Sequence, residues 1–341
     1  MHQDRLLRFF AAFAAEVASQ EQLDFLEPLI AKLAELSRAK EHAFRWRACQ
    51  LLQALMGGLP ADAALTDDVA DALQEAMLER LDDGKPAVRA AAVRALARLP
   101  DPGTNGSFNA CPVVEALLEL LAWERSKEVR KAVLATLPAA ARTKPVFLER
   151  TRDEADDVRK VTYLAIAEKL PLASLSAEEQ ALLVRRGLGD RTRPVAEAAG
   201  HMLEAWLEGP CRGEPLVLLR GLGAAAHPEE AEMVVKALVG SGRLSAVHLG
   251  KLAESDGLGL RADFGAPDAA LLTPESALFW RVICEELHAE ATSKGLAAAN
   301  AAGAAASIDA AVAGDRLEAL EAALPPTVEE MAHVVEMHAQ V

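Results

Sequence analysis

The sequence predicts an all-α solenoid of stacked antiparallel helix pairs, and three observations carry that prediction. Apolar residues make up 51% of the 341 positions but aromatics only 4%, and Ala and Leu dominate. Both lose little rotamer freedom in a helix, whereas strands favour β-branched and aromatic side chains. A short pattern, an acidic residue followed five positions later by Val-Arg, recurs through the middle of the chain. After each copy the apolar residues fall at helical spacing.

In chain order, the opening MHQDRLLRFFAAFAAEV has an apolar run broken by Asp4, Arg5, Arg8 and Glu16. That predicts an amphipathic helix, not a secretory signal. No later stretch approaches the ~20 uninterrupted apolar residues of a membrane span. A weak first copy of the pattern follows, with Phe44-Arg45 in the Val-Arg position of AFRWRACQLLQAL. The clear copies are Asp83 with Val88-Arg89, Glu124 with Val129-Arg130, Asp153 with Val158-Arg159, and Asp190 with Val195. The anchors at 44, 88, 129, 158 and 195 lie 44, 41, 29 and 37 residues apart.

From each anchor the apolar positions continue at i+3, i+4, i+7 and i+8. Val88 leads to Ala91, Ala92, Ala95 and Leu96; Val129 leads to Ala132, Val133, Thr136 and Leu137. Val158 leads to Val161, Thr162, Ala165 and Ile166, and Val195 to Ala198, Ala199, Met202 and Leu203. In the weak copy Arg47 interrupts the series Ala48, Leu51, Leu52. A second helical segment precedes the anchor helices, most clearly at 66–81, 111–122 and 176–188, the last opening with Ser176 and Glu179 in capping-box spacing. Helix, acidic turn, helix, at a period near 40, is the pattern of HEAT-type repeats. Each unit has an apolar stripe it cannot bury alone, so the units stack into a curved solenoid.

The acidic turn has a structural role in such an array. Asp83, Glu124 and Asp153 stand six residues before Arg89, Arg130 and Arg159, across the turn between paired helices. Each acid can meet its own Arg and the next repeat's turn, so these six residues are read as an inter-repeat ladder in preference to a binding site.

Catalytic constellations are missing from the sequence: there is no GxxxxGK[ST], GxSxG, HExxH or strand-borne GxGxxG. The chain reads as a non-enzymatic scaffold with no cofactor and no metal. Cys49, Cys111, Cys211 and Cys284 lie 62, 100 and 73 residues apart, without zinc-ligand spacing, and read as buried thiols of a reducing compartment. The net charge of −15 is unevenly spread. Residues 1–84 carry −7 and 196–341 carry −13, but 85–195 carry +5. Two readings of this basic segment stay open on charge alone. Its cations are solvated helix faces paired with local acids, or they form a stripe suited to a phosphate backbone.

Several segments, in order, resemble the HEAT-repeat G subunit of condensin (CAP-G). They are FRWRACQLL (44–52), DGKPAVRAAAVRALARLPDP (83–102), CPVVEAL (111–117), EVRKAVL (128–134) and RTRDEADDVRKVTY (150–163). GLGDR (187–191), LTPESALFWRVICEEL (272–287) and LPPTVEE (324–330) complete the set. The resemblance implies a regulatory condensin subunit in mitotic chromosome condensation. Such a subunit binds the kleisin subunit (CAP-H) and sequence-nonspecific duplex DNA, and meets the ATP-hydrolysing SMC subunits only indirectly. It implies a nuclear, chromosomal location with a cytoplasmic phase in interphase. Carried over residue by residue, the basic positions inside matched segments are DNA-binding candidates: Lys85, Arg94, Arg98, Lys131, Arg150, Arg152, Lys160 and Arg191. Family members are usually far longer, so the chain reads as an N-terminal portion or a shortened relative. The HEAT array is placed at 1–288, an Ala/Gly-rich insert without family counterpart at 289–315, and a short helical segment at 316–341. The alternative from another class is a cytoplasmic HEAT-repeat adaptor for a protein partner.

Overall fold

The computed structural model describes residues 2–244 except 21–22, 61–62, 101–102, 104–107 and 109–110, together with 273–286 except 277, 280 and 284. The expectations for 289–315 and 316–341 lie outside the described residues. Among those residues there is no strand. Among the described residues no helix is long and apolar enough to cross a membrane.

The chain divides into two compact units, residues 1–170 and 171–341. The first unit contains α1 (His2–Ser19), α2 (Leu23–Leu36), α3 (His42–Gly58), α4 (Asp67–Arg80), α5 (Pro86–Ala95), α6 (Pro112–Trp123), α7 (Lys127–Thr136), α8 (Lys144–Arg150) and α9 (Asp156–Lys169). The odd-numbered helices pack in one layer, α1 on α3, α3 on α5, α5 on α7 and α7 on α9. Of the even-numbered helices, α2 meets α4 and α4 meets α6, and each of α2, α4, α6 and α8 also packs on the odd helix that follows it. These are the stacked helix pairs of a HEAT-repeat solenoid.

Val88, Val129 and Val158 are each the third residue of their helices and are wholly buried. A helix with layer neighbours on both sides and a partner beneath buries more than one stripe. On α5, Ala90 and Val93 are therefore buried beside the expected Ala91, Ala92, Ala95 and Leu96. On α9 the buried face has turned slightly: Tyr163 is fully buried and Val161 is only half-buried. Phe44 also occupies the third position of its helix but is 64% exposed. α1 and α3 approach closely at the end of α3, where Gly58 lies against Ala11. A Cβ on Gly58 would come within 2.1 Å of the Ala11 carbonyl oxygen.

The second unit contains α10 (Ala177–Leu188), α11 (Arg193–Glu208), α12 (Pro215–Leu222) and α13 (Pro228–Gly240), with α10 packed against the other three. Ser176 and Glu179 form a complete capping box at the start of α10. Val195 is again the third residue of its helix, and Ala198, Ala199, Met202 and Leu203 are buried as the spacing predicts. Between α10 and α13, Arg185 hydrogen-bonds the buried Glu230. The 273–286 segment buries Phe279, Val282 and Ile283, and its Arg281 donates to Glu232 of α13 at 2.8 Å.

Candidate nucleic-acid interface

Arg89 and Arg130 of the repeated pattern each make a knot that ties their own turn to the acid of the next repeat. Arg89 Nη1 donates to the backbone carbonyl of Asp83 at 2.8 Å, while its Nε and Nη2 reach both carboxylate oxygens of Glu124 at 2.7 Å. Arg130 repeats the arrangement, with the Glu124 and Arg125 carbonyls behind it and the Asp153 carboxylate at 2.8 Å ahead. Arg159 donates to the Asp153 carbonyl at 2.9 Å. Each arginine thus meets its own turn through a carbonyl. For Arg89 and Arg130 the carboxylate bond steps one repeat forward.

Two features of the knot are not explicit in the spacing. Arg45, from the weak first copy, takes the Asp83 carboxylate at 2.6 and 3.2 Å and the Ala39 and Lys40 carbonyls behind it. Each acid also caps its own turn. The Lys85, Ser126, Ala155 and Thr192 N–H groups donate to Asp83, Glu124, Asp153 and Asp190. An acid, Val and Arg at fixed offsets therefore encode one hydrogen-bonded turn and one bridge to the next repeat. The Arg130 and Asp153 side chains are 5% and 2% exposed. Burial alone would raise the Asp83 carboxyl, but the hydrogen bonds and charge of Arg45 hold it below its ordinary value. Glu124 is held low in the same way by Arg89, against the same opposing burial.

A second set of cations caps helix ends one repeat away. Arg80 donates to the Ser37 carbonyl just beyond α2, and Arg150 to Leu121 near the end of α6. Arg98 reaches the carbonyls of Met56, Leu59 and Pro60 at the end of α3. Lys169 does the same for Ala135 and Leu137 at the end of α7. The last carbonyls of a helix have no partner within it and carry the negative end of its dipole, so a cation there is doubly favoured.

The eight DNA-binding candidates consequently divide. Arg98 and Arg150 are engaged in helix caps, and Lys131, 22% exposed, pairs with Glu128 and Asp157. Arg98 does not continue the helix that carries Arg94. The α-helix ends at Ala95, and a 3₁₀ turn over Leu96–Arg98 carries Arg98 back towards α3. Lys85, Arg94, Arg152, Lys160 and Arg191 are exposed. The first four belong to the first unit and Arg191 to the second.

Cys49, Cys111 and Cys211 are buried free thiols, and burial pushes the Cys49 thiol up to about 12. Cys284 lies outside the described residues. Among the described residues no His, Cys, Asp and Glu side chains group as a metal site.

No family model matches the chain. It is 34% identical over 296 residues to condensin complex subunit 3 of Homo sapiens, covering 84% of this chain and 28% of that protein. With condensin complex subunit 3 of Schizosaccharomyces pombe it shares 30% identity over 236 residues, 68% of this chain and 26% of that protein. A chain in the crystal structure of the S. pombe condensin Cnd3–Cnd2 subcomplex superposes with a TM-score of 0.67 at 29% identity, over 83% of this chain and 35% of that one.

Over most of its length the chain is similar to part of a condensin HEAT-repeat subunit.

It spans about a quarter of the length of the curated condensin relatives it matches. The resemblance to condensin seen in the short segments thus extends through most of the sequence and through the fold.

Proposed function

We propose that this chain is part of a non-enzymatic condensin subunit of the G type, which holds a kleisin-type subunit and binds duplex DNA through its phosphate backbone on chromosomes. What supports the reading most is its likeness to the chain seen in the condensin Cnd3–Cnd2 subcomplex. The kleisin segment would lie along the repeats as a linear peptide ordered by apolar anchors. DNA contacts are assigned to the exposed Lys85, Arg94, Arg152 and Lys160 of the first unit and, separately, to Arg191 of the second, whose side chains are not consumed by caps or ladder bonds. Cations at repeat intervals without a base-reading element suit backbone contact, and backbone contact carries no sequence preference.

The test is a salt titration of fluorescent duplex binding by the complex with the cognate kleisin. Each phosphate contacted contributes about −0.9 to the slope of log affinity against log salt. Reversing the five exposed cations to Glu is expected to weaken binding equally on unrelated duplexes and to flatten that slope, with helix content unchanged. An unaltered affinity and slope would overturn the DNA assignment. Reversal of Arg98, by contrast, is expected to lower the thermal midpoint, because it uncaps α3.

A further inference from the structure

Trp123, the last residue of α6, is 87% exposed, more than any other large apolar side chain described. It stands at the edge of a groove of about 610 Å³ between α4, α6 and the turn after α4. Leu78, Ala116 and Leu120 supply apolar wall, and Asp82 and Glu119 stand on the lining as exposed carboxylates. The ladder groups that also line it, Asp83, Arg89 and Glu124, are already engaged in ladder bonds. That leaves two exposed carboxylates against one exposed guanidinium, Arg125. The groove lies where α4 and α6 pack only lightly on each other.

We infer that this groove docks a short linear segment of a protein partner, one carrying an Arg or Lys flanked by apolar residues. A cation stacked on the Trp123 indole gains from the ring face and from the adjacent carboxylates, and Trp is the best aromatic for such stacking. Apolar neighbours of that cation enter between Leu78 and Leu120. The excess of carboxylates disfavours a phosphate backbone within the groove itself. An exposed Trp beside a groove walled in part by Leu78, Ala116 and Leu120 offers the kind of aromatic anchor in which binding hot spots are enriched. The inference does not depend on the kleisin reading.

The experiment selects a random twelve-residue peptide phage library on the intact protein and measures the enriched peptides by fluorescence anisotropy. Enrichment of a basic residue between apolar ones is expected. Trp123→Ala should weaken those peptides at least ~10-fold, and Asp82→Lys with Glu119→Lys should do the same. Indole emission should shift to the blue on binding to the wild type and not to Trp123→Ala. All three side chains are exposed, so circular dichroism and thermal midpoints should match wild type; a variant that fails this control is replaced by Trp123→Leu or Glu119→Gln. No enrichment, enrichment of acidic peptides, or equal binding to Trp123→Ala would each overturn the inference. So would a Trp123→Ala protein that loses duplex DNA binding but keeps the peptide.

Discussion

At the residue scale, the same type of charge contributes very differently according to burial. Arg130 is nearly enclosed, hydrogen-bonded to two carbonyls and the Asp153 carboxylate, whereas Arg193 is 90% exposed in an i,i+4 pair with Glu197. Removing one partner of a buried pair strands the other, at a cost of about 3 kcal/mol. An exposed helix pair contributes less than about 0.5 kcal/mol. Arg130→Ala should therefore lower unfolding free energy by about 3 kcal/mol and Arg193→Ala by almost nothing, read from urea denaturation. The ladder carboxylates also set an acid limit. Asp83 and Glu124 have folded values below their ordinary ones, so their stabilisation is complete above the unfolded values of about 4 and is lost as pH falls through the lower folded values. The urea midpoint should fall between pH 5 and pH 3. Asp83→Asn with Glu124→Gln should start lower at pH 7 and fall less. Parallel pH profiles would show that these two groups do not carry the acid sensitivity.

At the scale of elements, what was legible was whatever repeats locally. Val88, Val129, Val158 and Val195 marked the beginnings of four helices, in each of which the valine is the third residue, because a buried β-branched residue and helical spacing both lie within ten positions of each anchor. The hydrogen-bond partner of each ladder acid was less legible. Asp83 meets Arg89 only through its carbonyl, and its carboxylate goes to Arg45, 38 residues earlier. The helix caps made by Arg80, Arg98, Arg150 and Lys169 were hidden for a similar reason. Their acceptors are backbone carbonyls 29 to 43 residues away, and a carbonyl has no sequence signature. A cation in or just beyond the last turn was the one available signal. Gly58 tests the packing of elements directly. Adding a methyl group there forces α1 off α3, and such overpacking costs about 1–3 kcal/mol. Gly58→Ala should lower the thermal midpoint, whereas Gly57→Ala, with open space around it, should not.

At the scale of the whole molecule, the uneven charge and the repeat architecture act together. The basic middle, +5 over 85–195, lies between flanks of −7 and −13. Strong net negative charge discourages indiscriminate coating of nucleic acid, and the proposed DNA contact draws instead on exposed cations within the basic segment. Sequence periodicity revealed this architecture, but it could not separate cations used inside the fold from those left at the surface. Arg98 and Arg94 stand four positions apart in the same basic run, yet one caps α3 and the other faces solvent. The kleisin-type partner offers the most direct test of the proposed function. Co-expression with the cognate kleisin-type condensin subunit, followed by size-exclusion chromatography, should give a single co-eluting complex that persists at high salt, because apolar anchors are little screened. Separate elution from the kleisin, together with stable capture of an unrelated transport cargo, would contradict the account and identify the chain as an adaptor.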